Sequence, residues 1–191
     1  MLKTLKIILN LFLFALLLYV LLSQSNNFAR LIYPYPYKDL IVHEADKYGL
    51  DPLLIVSIIR VESGFKEGAT SDKGARGLMQ IMPDTGFWIA EQIGLDDFSK
   101  DKIYEPNINV LLGTWYLNDL LQQFDTGLYP ALAAYNGGRG HVKKWLDSGI
   151  WDGGKETLDD IPFAETRSFV GKVICTYGRY QRIYGGEKSE R

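Results

Sequence analysis

A nearly continuous apolar run from Leu5 to Leu22, interrupted by Lys6 and Asn10, constrains this chain before any other feature does. In water such a segment has no polar side to expose. As a helix it satisfies its own backbone, and it is about long enough to cross the hydrocarbon core of a membrane. A buried core helix is the blander reading. Lipid-like residues on every face at one terminus argue against it. Lys3 precedes the run and Lys6 lies at its very start, so the positive-inside rule predicts a cytoplasmic amino terminus and a body on the outer side. The exit reads Leu21-Leu22-Ser23-Gln24-Ser25-Asn26-Asn27, which is neither a small-residue cleavage site nor a lipid-anchor cysteine. An uncleaved signal anchor over residues 1–25 is expected.

The remainder suits one domain of ordinary size. Residues 26–36 turn polar and then Tyr/Pro-rich, predicting a short extended linker; a folded body follows over 37–186, with a polar tail at 187–191. The 21 basic and 23 acidic groups give a formal net charge of −2, and residues 1–30 hold three of the basic groups and no acid. The body is therefore acidic and has no Lys/Arg run, which excludes the electrostatic footprint of a phosphate-backbone binder. No nucleic acid partner is expected. Cys175 is the single cysteine, so no internal disulfide can form, and its neighbours Val173 and Ile174 suggest a packed thiol. With His43 and His141 as the only histidines, no zinc-ligand spacing exists. Neither a metal nor a cofactor is predicted.

The body reads as mainly α. Lys38 to Tyr48 has helical periodicity and stops at Gly49; Asp51-Pro52 supplies an N-cap and a first-turn proline for a helix through Glu62. Further helices are expected over Thr85–Ile93, Ile108–Phe124, Tyr129–Tyr135, His141–Leu146 and Phe163–Tyr184. Any sheet must be very small, within Gly68 to Gly77.

Four clusters carry candidate chemistry. Glu62 follows Ile59, Ile58 and Ile55 by three, four and seven residues, so it shares an apolar helical face. Desolvation there would raise its pKa and keep a proton for general-acid work; a structural Glu accepting backbone hydrogen bonds is the alternative. Ser71 to Pro83 contains two glycines around Arg76 and then Met79 and Gln80, which fits a sugar-lined cleft or merely a turn with a packed methionine. Ala133 to Gly140 ends a helix on Tyr135 and Asn136, a flat apolar face beside an amide, and is equally an ordinary glycine-terminated helix end. Finally, Glu165 sits in the first turn of the last helix, where the dipole already favours an acid.

Taken in order, Glu62-Ser63-Gly64-Phe65, Gly77-Leu78-Met79-Gln80-Ile81-Met82-Pro83, Ala134-Tyr135-Asn136 and Pro162-Phe163-Ala164-Glu165-Thr166-Arg167 resemble the soluble-type lytic murein transglycosylases of glycoside hydrolase family 23. The likeness spans roughly residues 37–185 and includes Pro106-Asn107-Ile108-Asn109 with Gly113, Tyr116 and Leu117. It implies a lysozyme-like helical fold, one catalytic glutamate at Glu62, and substrate contacts from Met79, Gln80, Tyr135 and Asn136. Ser71 and Glu165 match positions of ligand contact or support. Gly137 and Arg139 stand where alanine and proline are usual, and Phe169 replaces a common tyrosine. The implied partners are peptidoglycan glycan strands, with the membrane engaged through the N-terminal helix.

Most glycosidases use two carboxylates. The motifs here offer neutral partners to Glu62 instead, which suits capture of the muramic oxocarbenium ion by its own 6-hydroxyl and a 1,6-anhydro end. A goose-type hydrolytic muramidase, with Asp72, Asp84 or Glu165 activating water, is one competing reading. A non-catalytic wall-binding scaffold is another.

Overall fold

A computed structural model of the chain describes residues 2–23, 26–125 and 127–186. The expected polar tail at 187–191, and Gln24 and Ser25 in the exit from the apolar run, lie outside these residues. The chain divides into two compact units, residues 36–178 and residues 1–35 with 179–191.

In the larger unit, α3 (Lys38–Asp46), α4 (Pro52–Glu62), α5 (Pro83–Gln92), α6 (Pro106–Gln123), α7 (Leu128–Gly137) and α8 (Arg139–Asp147) precede the long α9 (Ala164–Tyr184), whose last turns belong to the smaller unit. The sequence dictates several of these boundaries. Asp51 accepts the Leu53 N–H at 2.9 Å and Pro52 opens α4, an N-cap followed by a residue that has no N–H to satisfy. Tyr177 donates to the second Asp51 carboxylate oxygen at 2.8 Å, tying the cap to α9. Pro83 and Pro106 open α5 and α6 in the same position.

Helix α6 packs against α3, α5 and α7. Its buried residues Val110, Leu112, Gly113, Leu117 and Leu120 lie on more than one face, as a central helix requires. Gly113 lets the Met79 side chain close on the α6 backbone: a Cβ at Gly113 would collide with the Met79 sulfur. Between α4 and α5, where the sequence allows a small sheet, the chain forms two isolated antiparallel bridges, Thr70 to Arg76 and Arg76 to Ile81. Among the described residues no longer strand occurs.

In the smaller unit, α1 (Leu2–Ser23) is apolar around its circumference, and its window Lys3–Val20 is long and apolar enough to cross a membrane. Residues 26–32, expected to be extended, form helix α2 (Asn26–Ile32). The helix ends at the first Tyr-Pro pair, because proline pushes its preceding residue out of the α region. Cys175 also departs from expectation: it is exposed. The buried face of α9 runs through Thr166, Phe169, Val170 and Val173, and a residue two positions further points the other way.

Candidate active site

Glu62 is the last residue of α4, after which the chain turns away through left-handed Gly64 and Phe65. Ile55, Ile58 and Ile59, the residues one and two turns before it, are completely buried. The face that carries Glu62 is thus anchored in the core while the residue as a whole keeps some exposure. Desolvation pushes its pKa up from 4.5 to about 8, and the negative charge of Glu165 adds to the rise. A carboxyl in this state is still protonated at neutral pH.

Within electrostatic reach of Glu62, Tyr135 lines a cleft of about 240 Å³ together with Gln80, Met82, Thr85, Tyr116 and Asn136. Tyr135 donates its hydroxyl to the Met79 carbonyl at 2.8 Å. Burial raises its pKa well above the ordinary phenol value, with the charge of Glu62 contributing, so it stays neutral. Its ring stacks parallel to Phe169 at 6.3 Å and tilts against Tyr116 at 5.5 Å. Phe169 therefore serves the site as packing beneath Tyr135.

Two amides line this cleft, each with one end already engaged. Gln80, at the strained φ of 49°, donates its Nε2 hydrogens to Ala69 O at 3.2 Å and Gly77 O at 2.9 Å, which leaves Oε1 to accept from a ligand. Asn136 accepts the Thr166 hydroxyl on Oδ1 at 2.8 Å, which leaves Nδ2 to donate. One acceptor and one donor fixed on a cleft wall suit the hydroxyls and acetamido groups of an N-acetylated sugar.

The other sequence-derived candidates occupy different places. Met79 is completely buried against Gly113, so its tie to the cleft is the carbonyl that holds Tyr135. Ser71 uses its hydroxyl to accept the Ala75 N–H at 3.0 Å within its own turn. That turn carries Lys73, whose ammonium meets Glu165 at 2.5 Å, an exposed ion pair joining the loop to the start of α9. The sequence alone assigns no site role to Tyr116 or Thr166, and none to Asn109, which fastens the loop from below. Their roles depend on contacts roughly twenty to thirty residues away in the chain, which no local pattern encodes.

A family model described as the transglycosylase SLT domain matches residues 39–157 of this chain. The chain belongs to the transglycosylase SLT family. The SLT match contains Glu62, Ser71, Met79, Gln80, Tyr135 and Asn136 and stops before Glu165. Among SLT relatives, the soluble lytic murein transglycosylase of Salmonella typhimurium is 35% identical over 159 residues, covering 82% of this chain and 24% of that protein. The membrane-bound lytic murein transglycosylase C of Actinobacillus pleuropneumoniae is 36% identical over 169 residues, covering 77% and 46%. The lytic transglycosylase Slt from Pseudomonas aeruginosa, solved as an inactive mutant with a glutamate-to-glutamine substitution, superposes with a TM-score of 0.72 at 33% identity, over 80% of this chain and 25% of that one. The chain thus spans less than half the length of the relatives it matches.

Proposed function

We propose that this chain is a peptidoglycan lytic transglycosylase of the soluble type, in glycoside hydrolase family 23, cutting the MurNAc-GlcNAc β-1,4 bond. The observation that carries the reading is one desolvated carboxyl, Glu62, held protonated within electrostatic reach of Tyr135, which lines a cleft whose polar side chains are neutral. Protonated Glu62 gives its proton to the leaving oxygen as the glycosidic bond breaks. The resulting carboxylate then takes the proton of the muramic 6-hydroxyl as that oxygen closes on C1. Atoms balance without added water, and the product is a 1,6-anhydromuramoyl end. Intramolecular capture has a high effective molarity, so a cleft that positions the ring favours it over attack by solvent. Digestion of purified peptidoglycan by the full chain in detergent should release muropeptides lighter by one water than hydrolysis products. A digest with only hydrated reducing ends would defeat the transglycosylase assignment.

Hydrolysis has one observation in its favour, since Glu165 lies within electrostatic reach of Glu62. It is exposed and paired with Lys73, however, a setting that suits a support residue better than a base guiding a buried water. The same digest separates the two reactions.

The pH dependence follows from the raised pKa. Reaction starts from protonated Glu62, so kcat/KM should fall tenfold per pH unit once pH passes about 8. A profile flat to pH 10 with intact fold and substrate would count against Glu62 as the acid.

We further propose that α1 anchors the chain in a cell membrane, once across, with the catalytic unit on the outer, wall-facing side. Lys3 and Lys6 both lie at the amino-terminal end of the apolar window, the bias that keeps a terminus cytoplasmic. Protease added to intact spheroplasts should digest the body. Protection of the body until the membrane is lysed would reverse the orientation.

A further inference from the structure

We propose that helix α2 is an interfacial seat that lies in the surface of the same bilayer α1 crosses, inserting Leu31 and Ile32 at the boundary between headgroups and acyl chains. The inference rests on the reading of α1 as a membrane span.

The smaller unit has an aromatic core of its own. Tyr33 and Tyr35 pack edge-on against Tyr180 at 5.7 and 6.1 Å, and Tyr35 meets Tyr184 at 5.5 Å. Tyr180 donates its hydroxyl to Pro34 O at 2.6 Å, and Tyr184 donates to Tyr33 O at 2.8 Å. The Arg30 guanidinium lies over the Tyr184 ring at 5.1 Å. The last turns of α9 thereby clamp the segment that follows α2, so α2 is held by a folded base at its C-terminal end.

That base leaves apolar surface outside it. Leu31 and Ile32 are exposed at 76% and 47%. What covers them is indicated by continuity with α1, which ends at Ser23, three residues before Asn26 opens α2. Along α2 itself, Leu31 stands about 7.5 Å beyond Asn26 at helical rise. The interfacial layer on each side of a bilayer is roughly 5–8 Å thick. Upright, α2 would carry Leu31 to the outer, watery edge of that layer; lying flat, it keeps both side chains at the acyl boundary. A short helix with adjacent aliphatic residues, a nearby cation in Arg30 and flanking tyrosines matches the composition of segments that lie in an interface.

The test uses the full chain in vesicles of phosphatidylcholine and phosphatidylglycerol, with Cys175→Ser as background. Single cysteines at Leu31→Cys, Ile32→Cys and Phe12→Cys carry an environment-sensitive fluorophore. Lipids bearing a quencher near the headgroup should lower emission from positions 31 and 32 by about half, while aqueous iodide has little effect on them, as expected of an interfacial depth. Full iodide quenching at 31 and 32, with Phe12 still quenched by deep-labelled lipid, would overturn the seat and leave the span intact. Shielding from both quenchers would also overturn it, since protein and not lipid would then cover the pair. If the Phe12 probe itself met iodide and no lipid, the membrane reading would fail first and the seat with it.

Discussion

Glu62→Gln should reduce release of anhydro-muropeptides by ~10³- to 10⁴-fold, the upper part of the range for loss of a general acid/base, because one group serves both proton transfers. The amide keeps the size and hydrogen-bonding ability of the acid and removes only the transferable proton. Cleft contacts from Gln80, Tyr135 and Asn136 do not involve that proton, so binding of N-acetylated chitooligosaccharides should persist with a Kd within about threefold. Glu165→Gln is the internal comparison. Its carboxylate is exposed and paired with Lys73, and it raises the Glu62 pKa only in second place after burial, so a loss of roughly tenfold or less is expected. Near-normal turnover in Glu62→Gln, or a larger loss in Glu165→Gln, would place the acid elsewhere.

The same variant has a stability signature whose sign is fixed by the raised pKa. A carboxyl at about 8 in the fold and 4.5 when solvated binds more protons in the native state between those values, so the wild type loses stability as pH climbs through that window. Gln carries no such penalty. Glu62→Gln should therefore gain on the wild type between pH 4 and pH 9 by a few kcal/mol, because each pH unit inside the window is worth about 1.4 kcal/mol. Urea midpoints at the two pH values read the difference. A constant gap would mean that Glu62 is not desolvated as the geometry indicates.

How much of this is legible in the sequence depends on whether the deciding contact is local. The desolvated setting of Glu62 follows from helical periodicity alone, because Ile55, Ile58 and Ile59 fix which way the helix faces. Adjacency is a poorer guide than phase, and it misplaces Cys175: Val173 is buried, but its neighbour two positions on projects to solvent. The expected linker rests on its Tyr/Pro half, and the Phe28-Ala29-Arg30-Leu31 half before it forms α2. Met79 falls in the cleft motif by its place beside Gln80, but in the turn it goes with Leu78 and Ile81, which are buried like it. Its side chain enters the core, and only its carbonyl serves the site. Arg139, which departs from the usual family residue, pairs with Asp119 at 2.8 Å and lies over Trp88 and Tyr116, joining α8 to α5 and α6. No spacing in the sequence announces such a three-way contact.

The largest structural effect is expected from Asn109→Ala. Asn109 is a completely buried polar residue on α6, and it holds the loop that carries Met79 and Gln80. Its Oδ1 accepts the Met79 N–H at 2.6 Å; its Nδ2 donates to Ile103 O at 2.7 Å and Arg76 O at 2.9 Å. Arg76 O has a second donor in the Ile81 N–H, so alanine would strip a partner chiefly from Met79 N and Ile103 O. Leaving a buried backbone group without its partner costs about 1–3 kcal/mol, which puts the loss at roughly 3–5 kcal/mol. Asn107→Ala, on the exposed side of the same helix, should stay within about 0.5 kcal/mol and controls for helix propensity. Gly77 shows how little room the loop has to rearrange, since a Cβ there would collide with the Asn109 amide and Ile103 O. The displaced loop would take the Gln80 acceptor and the Met79 carbonyl out of register with Tyr135, so KM should rise even where the variant remains folded. A urea midpoint lowered by less than about 1 kcal/mol, with KM unchanged, would show that the loop keeps its shape without this residue, and that the fold beneath the cleft is fastened by the Arg76–Ile81 bridge instead.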